Sequence, residues 1–278
     1  QKPEASIFPD YVQMPLSLGK SEKLEILHQK IYTFRSQIAS RWHKDQIFIA
    51  GDAAHTMPPY IGQGMCAGIR DAENICWKIK AVLRHKFPIE LLKTYQRERK
   101  SHAKFVILLT NIIGWIFTTR LSALLNVLSY LVPGKFRNIE VKPPVFKQGF
   151  FLDTKLAGVY LPQQVFKTGN VALYSDEITE SSLCLLFNLP RNEVVHTKEY
   201  KQLLHYGYKS VFLNEKPNEH EPLTALPQQA RSFLSGWLNT RKVKAILVRP
   251  DKLVAGACGK NKDIQQFLAH CLCKINSL

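Results

Sequence analysis

The sequence predicts an α/β protein in two parts. A short apolar run, residues 47–50, is stopped by Gly51-Asp52 and leads through a proline-stiffened loop to a glycine-rich helix start. Behind that start, helical patterning runs to residue 132. Beyond Pro133-Gly134 and Lys142-Pro143-Pro144 the chain changes to short strand-like runs, which divides it into residues 1–137 and 138–278.

Length and composition support that division. A chain of 278 residues with 45% hydrophobic content is large enough for two domains and a substantial core. The formal net charge of +16 invites a nucleic-acid reading, so its distribution decides. Residues 1–137 hold 20 Lys and Arg against 10 Asp and Glu; residues 138–278 hold 18 against 12. The excess is spread, with no recognition motif beside it, which is the pattern of a solvated basic face, with attraction of anionic substrates or cofactors as the second reading, and argues against a nucleic-acid partner. Cys66, Cys76, Cys184, Cys258, Cys271 and Cys273 form no C-x-x-C pair and have neither zinc-site nor secreted-scaffold spacing. They read as reduced thiols of a cytoplasmic protein, with no metal site, and Cys271 and Cys273 as strand or turn neighbours. No signal peptide opens the chain, and a first residue of Gln1 suggests a processed or truncated product.

In chain order, residues 1–22 form a lead-in loop, Ser21 caps a short helix over 22–28, and residues 31–34 suit a strand. Residues 47–50 read as a buried strand with Asp52 at its C-terminal end, the edge where open α/β sheets hold ligands. Pro58-Pro59 excludes helix from the loop, and Gly62 and Gly64 allow close backbone approach before a helix whose first N–H groups favour negative charge. Met65, Ile69, Ala72, Ile75, Cys76, Ile79, Val82 and Leu83 mark the core-facing stripe of that helix, about five turns long. Pro88 opens a second helix carrying Leu91, Leu92 and Tyr95 as far as Lys100. Residues 105–119 and 121–132 are uncharged runs split by Arg120. Both are too short to span a bilayer, so they read as buried core helices, with a peripheral membrane contact as the second reading. In the second part, residues 171–174, 183–187, 210–213 and 243–249 suit strands, the last buried on both faces and turned by Pro250-Asp251 onto residues 253–255. Residues 264–273 suit a closing helix.

Gly51-Asp52-Ala53-Ala54-His55, Pro58-Pro59, Gly62-Gln63-Gly64-Met65, Asp71-Ala72-Glu73-Asn74, Trp77-Lys78 and Tyr95-Gln96-Arg97-Glu98-Arg99 occur in this order. Together they resemble the second flavin-contacting motif of the class A flavoprotein aromatic hydroxylases, densely over residues 31–105, and most nearly the 3-(3-hydroxyphenyl)propionate hydroxylases. The resemblance implies the C-terminal part of an FAD-binding, glutathione reductase-like domain followed by a thioredoxin-like domain. It implies FAD as cofactor, NADH or NADPH as reductant, and hydroxylation of a phenolic ring by molecular oxygen through a flavin hydroperoxide. Asp52 would accept hydrogen bonds from the ribityl hydroxyls, with Gly51 and Ala53 beside it. Pro59 would lie near the reactive edge of the flavin. Gly62, Gln63, Gly64, Met65 and Cys66 would meet its pyrimidine side.

Two departures bear on function. No strand, G-x-G-x-x-G and helix for the pyrophosphate is present, so the chain resembles the C-terminal half of such an enzyme. In the thioredoxin-like part, Ala157-Gly158, Leu161-Pro162-Gln163 and Val248-Arg249-Pro250-Asp251 match, whereas residues 175–182 and the aliphatic Leu253 depart. Lacking C-x-x-C, that part would serve packing or a homodimer contact. No catalytic acid or base is assigned; His55, Asp71, Arg97 and Arg99 read as structural or surface residues. The competing readings are a non-catalytic remnant or interaction module of the fold, and a flavin hydroxylase of a polyketide-type substrate.

Overall fold

The computed structural model describes residues 33–119, 148–168, 171–175, 182–215 and 227–278. The chain divides into two compact units, residues 1–34 and 35–278. Only residues 33 and 34 of the first are described, without regular structure, and every described helix and strand belongs to the second. The helix expected over 22–28, part of the strand expected over 31–34, the run 120–132, the boundary near 138 and most of the segment 175–182 lie outside the described residues.

The second unit begins with four two-residue strands. β1 (Gln37–Ile38) pairs antiparallel with β4 (His55–Thr56), and β2 (His43–Lys44) with β3 (Ile47–Phe48). The run 47–50 is therefore one arm of a tight hairpin around Asp45, whose φ is 53°. It is not a buried strand: Ile47 is 73% exposed, because among the described residues β2 is its only neighbour and one face stays open. Two helices come next, α1 (Gln63–His85) and α2 (Glu90–Thr118). α2 does not end near Lys100; it spans 29 residues to Thr118, and Glu98 and Arg99, which look like surface charges, are buried and paired. Val106 and Ile107 are core, as expected, but Leu108, Ile112 and Trp115 are exposed. No described helix is long and apolar enough to cross a membrane.

α1 forms where its periodicity predicts but faces the other way. Its buried side consists of Ala67, Asp71, Asn74, Ile75, Trp77, Lys78 and Ala81. Of the eight residues expected to face the core, only Ile75 is fully buried. Hydrogen-bonded partners on α2 and beyond offset the desolvation of Asp71, Asn74 and Lys78, and that selects the face.

In the second part, β5 (Val165–Thr168) and β6 (Val171–Tyr174) form a separate antiparallel pair. β7 (Cys184–Phe187), α3 (Lys198–His205) and β8 (Lys209–Phe212) form a strand–helix–strand unit with parallel strands. α4 (Gln228–Thr240), β9 (Val243–Val248), β10 (Val254–Gly259) and α5 (Ile264–Asn276) complete it. The sheet order is β10-β9-β7-β8, with β9 antiparallel to both neighbours. Side chains alternate between faces. Leu185, Phe187, Ala245 and Leu247 pack with α3, α5 and with Trp77, Ala81, Phe87 and Leu91 of the first part. Cys184, Leu186, Ile246 and Val248 pack with Leu234 and Leu238 of α4. Thr197 and Asp263 cap α3 and α5 by accepting from Tyr200 N at 3.3 Å and Gln265 N at 3.0 Å. Cys271 and Cys273 lie on α5, not on a strand or turn, and none of the six cysteines is in a disulfide.

The two parts are joined by buried charges. Glu98 Oε2 accepts from Arg249 Nη2 at 2.7 Å, Asn74 Nδ2 at 2.8 Å and Lys78 Nζ at 3.0 Å. Its Oε1 accepts from Phe150 N at 2.9 Å. Arg249 also pairs with Asp251, whose Oδ2 accepts from Trp77 Nε1 at 3.2 Å and Asn74 at 3.0 Å. Gly149, at φ 111°, lets the chain pass where any side chain would overlap the Glu98 carboxylate. Burial alone would raise the Glu98 pKa, but Arg249 and Lys78 bring it down to about 2. Burial lowers Lys78 to about 8 against the pull of Glu98.

Glu98→Ala strands two buried cations with Asp251 alone, and about 3–5 kcal/mol of stability should be lost. Urea denaturation monitored by Trp fluorescence checks this through a lower midpoint at unchanged slope. Because the folded pKa of Glu98 lies below its ordinary value, its contribution is complete above the ordinary carboxylate range and drains away as pH falls towards about 2. The wild-type midpoint should fall over that window, and the Glu98→Ala midpoint should fall less.

Candidate functional site

Gly51–Ala53 forms a single 3₁₀ turn, Pro59–Ile61 a second, and Gly62, at φ 62°, starts α1. The nine residues expected at the cofactor lie in these turns and the first turn of α1. None is buried: Asp52, Ala53, Pro59, Gly62 and Met65 are exposed, and Gly51, Gln63, Gly64 and Cys66 are partly so. No side chain caps α1, so the N–H groups of its first turn have no partner in the helix.

One carboxylate holds this edge together. Asp71, fully buried in the third turn of α1, accepts from Gly51 N at 3.1 Å, from His55 Nε2 at 2.7 Å and from Arg99 Nε at 2.7 Å. Burial favours its neutral form, but the hydrogen bond from His55 and the charge of Arg99 outweigh that and hold the carboxyl below its usual range. An ionised carboxylate only accepts, so His55 donates through Nε2. Arg99 reaches on to the Ala67 carbonyl at 3.4 Å. The turn then lies directly on the helix: a Cβ at position 68 would stand 3.4 Å from the Gly51 Cα. Tyr95 ties the other side, donating to the Ile49 carbonyl at 2.9 Å, and its ring packs with Trp42.

The expectation for His55, a hydrogen-bonded structural histidine, holds. Arg99, expected in helix packing and surface pairing, does pack between helices, but its pairing with Asp71 is buried. The signal for that pair lay in two helices, 28 residues apart, and no local spacing encodes it. His102, close to this pair, is held neutral by burial and by Arg99, with its pKa brought down to about 3. Among the described residues no cluster suits a metal ion.

The Gly51–Ala53 turn thus carries an exposed carboxylate, Asp52, the Pro59–Ile61 turn carries the proline, and the start of α1 has no side-chain cap. Residues 16–110 match the FAD binding domain family. The chain is similar over most of its own length to curated hydroxylases. It is 30% identical over 263 residues to the 3-(3-hydroxy-phenyl)propionate/3-hydroxycinnamic acid hydroxylase of Mycobacterium sp. (strain KMS), covering 85% of this chain and 45% of that protein. It is 28% identical over 264 residues to the protein of that name in Klebsiella pneumoniae (strain 342), covering 86% and 47%. The chain thus spans about half the length of the curated relatives it matches. Among solved structures, aklavinone-11 hydroxylase in a ternary complex with FAD and aklavinone shares the fold with a TM-score of 0.63 at 19% identity, over 97% of this chain and 50% of that one. The rebeccamycin biosynthetic enzyme RebC with reduced flavin does so with a TM-score of 0.61 at 20% identity, over 86% and 46%.

Asp71→Asn replaces an acceptor that serves three donors by a group with an N–H₂ of its own, and should cost about 1–3 kcal/mol. Hydrogen exchange reads the local effect: the Gly51 amide should exchange faster in the variant while the amides of β9 keep their protection.

Proposed function

We propose that this chain is part of an FAD-dependent monooxygenase that hydroxylates a phenolic ring, with NADH or NADPH as reductant and molecular oxygen as co-substrate. The observation that carries the reading is the edge fixed by Asp71, where Asp52 stands free beside the uncapped start of α1. These residues fit part of FAD. Asp52, acceptor-only when ionised, suits the ribityl hydroxyls, with Gly51 and Ala53 supporting it. Pro59 borders the ring, and the backbone of Gly62, Gln63, Gly64, Met65 and Cys66 offers N–H donors to its polar side. The helix start favours negative charge developing there. FAD, when bound, supplies the redox and oxygen-activating chemistry. The pyrophosphate needs a glycine-rich strand-to-helix turn, and this sequence offers none.

Residues 138–278 are read as the thioredoxin-like domain. A parallel strand–helix–strand unit followed by a helix, an antiparallel hairpin and a closing helix supports this. Its part is to hold α1 and α2 through Arg249 and Asp251, with no redox role of its own. The free thiols fit a reducing, cytoplasmic setting. A polyketide-type substrate is the second reading, favoured by the likeness to aklavinone-11 hydroxylase.

The chain alone should bind FAD poorly, and a stoichiometric yellow protein after gel filtration with excess FAD would overturn that. When the part of a relative that this chain does not match is joined to it, FAD should be retained. Asp52→Ala should then weaken binding about tenfold, equivalent to about 1.4 kcal/mol. Quenching of flavin fluorescence measures this, and an unchanged Kd would remove Asp52 from the site.

A further inference from the structure

α3 and α5 flank a groove of about 590 Å³ in the second part, and no residue of the candidate flavin edge lines it. Its size falls within that of small-molecule sites, about 300–1,000 Å³. One wall is basic. Tyr200 and Leu203 turn the inner side of α3 into the core, so Lys198, Lys201 and His205, at steps of three and four, share the outer side. His196, just ahead of the helix, joins them, and all four are exposed. The other wall is apolar and fixed. Tyr206 and Leu272 are half-buried against the core, and the Tyr206 ring meets Phe87 edge-on at 5.9 Å. Gln202 and Asn276 add an amide from each helix.

The charge is one-sided. No acidic side chain lines the groove, and Glu199, next to Lys198 in the chain, is not part of it. Among the described residues neither Lys198 nor Lys201 forms an ion pair. Like charges at this spacing repel along a helix, and an anion in the groove would relieve that repulsion. Lys198 and His205 are seven residues apart, which spreads the donors over about 10 Å of helix axis. A single carboxylate or phosphate is too short for that row, whereas linked phosphates match it. An acidic peptide would meet the basic wall and leave the aromatic one unused.

We propose that this groove binds a nucleoside diphosphate, with its phosphates along Lys198, Lys201 and His205 and its base against Tyr206 and Leu272. The site is separate from the flavin edge, and the inference takes nothing from the flavoprotein reading.

Isothermal titration calorimetry of the full 278-residue chain, without FAD, tests it with ADP, inorganic pyrophosphate and adenosine as probes. ADP should bind at a single site, pyrophosphate more weakly, and adenosine should give no saturable heat. The double variant Lys198→Glu/Lys201→Glu should weaken ADP binding by about tenfold or more, through lost charge-assisted contacts. Its new carboxylates lie in the first half of α3, where the helix dipole favours them, so the unfolding midpoint should not fall. The milder Lys201→Gln should weaken ADP in the same direction. Lys260→Glu/Lys262→Glu makes the same change in net charge at exposed positions ahead of α5, remote from Leu272 and Asn276, and should bind ADP as the wild type does. Absence of saturable ADP binding overturns the proposal. So does wild-type affinity in the Lys198/Lys201 variant, or equal weakening in the Lys260/Lys262 variant, which would leave only a net-charge effect. Pyrophosphate binding as tightly as ADP removes the nucleoside and overturns it as well. Loss of ADP binding in Asp52→Ala would move the ligand to the flavin edge, so failure here is distinguishable from failure of the flavin reading.

Discussion

The structure depends on where one buried carboxylate finds its cations. Glu98 lies on α2 and takes Lys78 from α1 and Arg249 from the end of β9, and its second oxygen takes the backbone at Phe150. With Asp251 added, two cations meet two anions, so the cluster is neutral as a whole and individually costly to break. The aromatic faces of Trp77 and Phe151 cover the Arg249 guanidinium at 5.0 Å and 4.5 Å. The hydrophobic core that runs from Trp77 to the sheet contributes bulk stability without direction. The charges supply direction: Asn74 and Trp77 share Asp251, which fixes how α1 is rotated and so which face it turns to solvent.

The legible parts of the sequence were those governed by local rules. The strands at 171–174 and 183–187, the hairpin after Val243 and the closing helix announce themselves by apolar runs and a Pro-Asp turn. The extent of α1 was legible too, from its periodicity. Its orientation was not, because periodicity finds a stripe but does not say whether the apolar or the polar side goes inward. That choice was made by Glu98, Arg99 and Arg249, residues with no sequence neighbourhood in common with Asp71 and Asn74. The same limit applies to α2, where charges that resemble a helix end were internal ties. At the candidate site the residue types of the loop were readable, whereas the anchoring role of Asp71 was not, since its partners Gly51, His55 and Arg99 lie 16 to 28 residues away.

Loop and core thus serve different ends through the same helix. The first turn of α1 presents backbone, its third turn buries Asp71 to steady the loop, and its fifth turn carries Trp77 and Lys78 into the junction. A single rigid element therefore connects the candidate flavin edge to β9 and β10, so the distal sheet acts as a buttress for the loop although it supplies no residue to it.

The contact between Gly51 and Gly68 adds a thermodynamic consequence. With no side chain between them and with the Gly51 amide bound to Asp71, the turn has little room to move independently of the helix. Ordering a mobile loop around a ligand consumes affinity, typically a fraction of a kcal/mol or more for each group immobilised. Here that ordering has already happened during folding. A ligand that bound here would meet groups already set and would spend less affinity on ordering them.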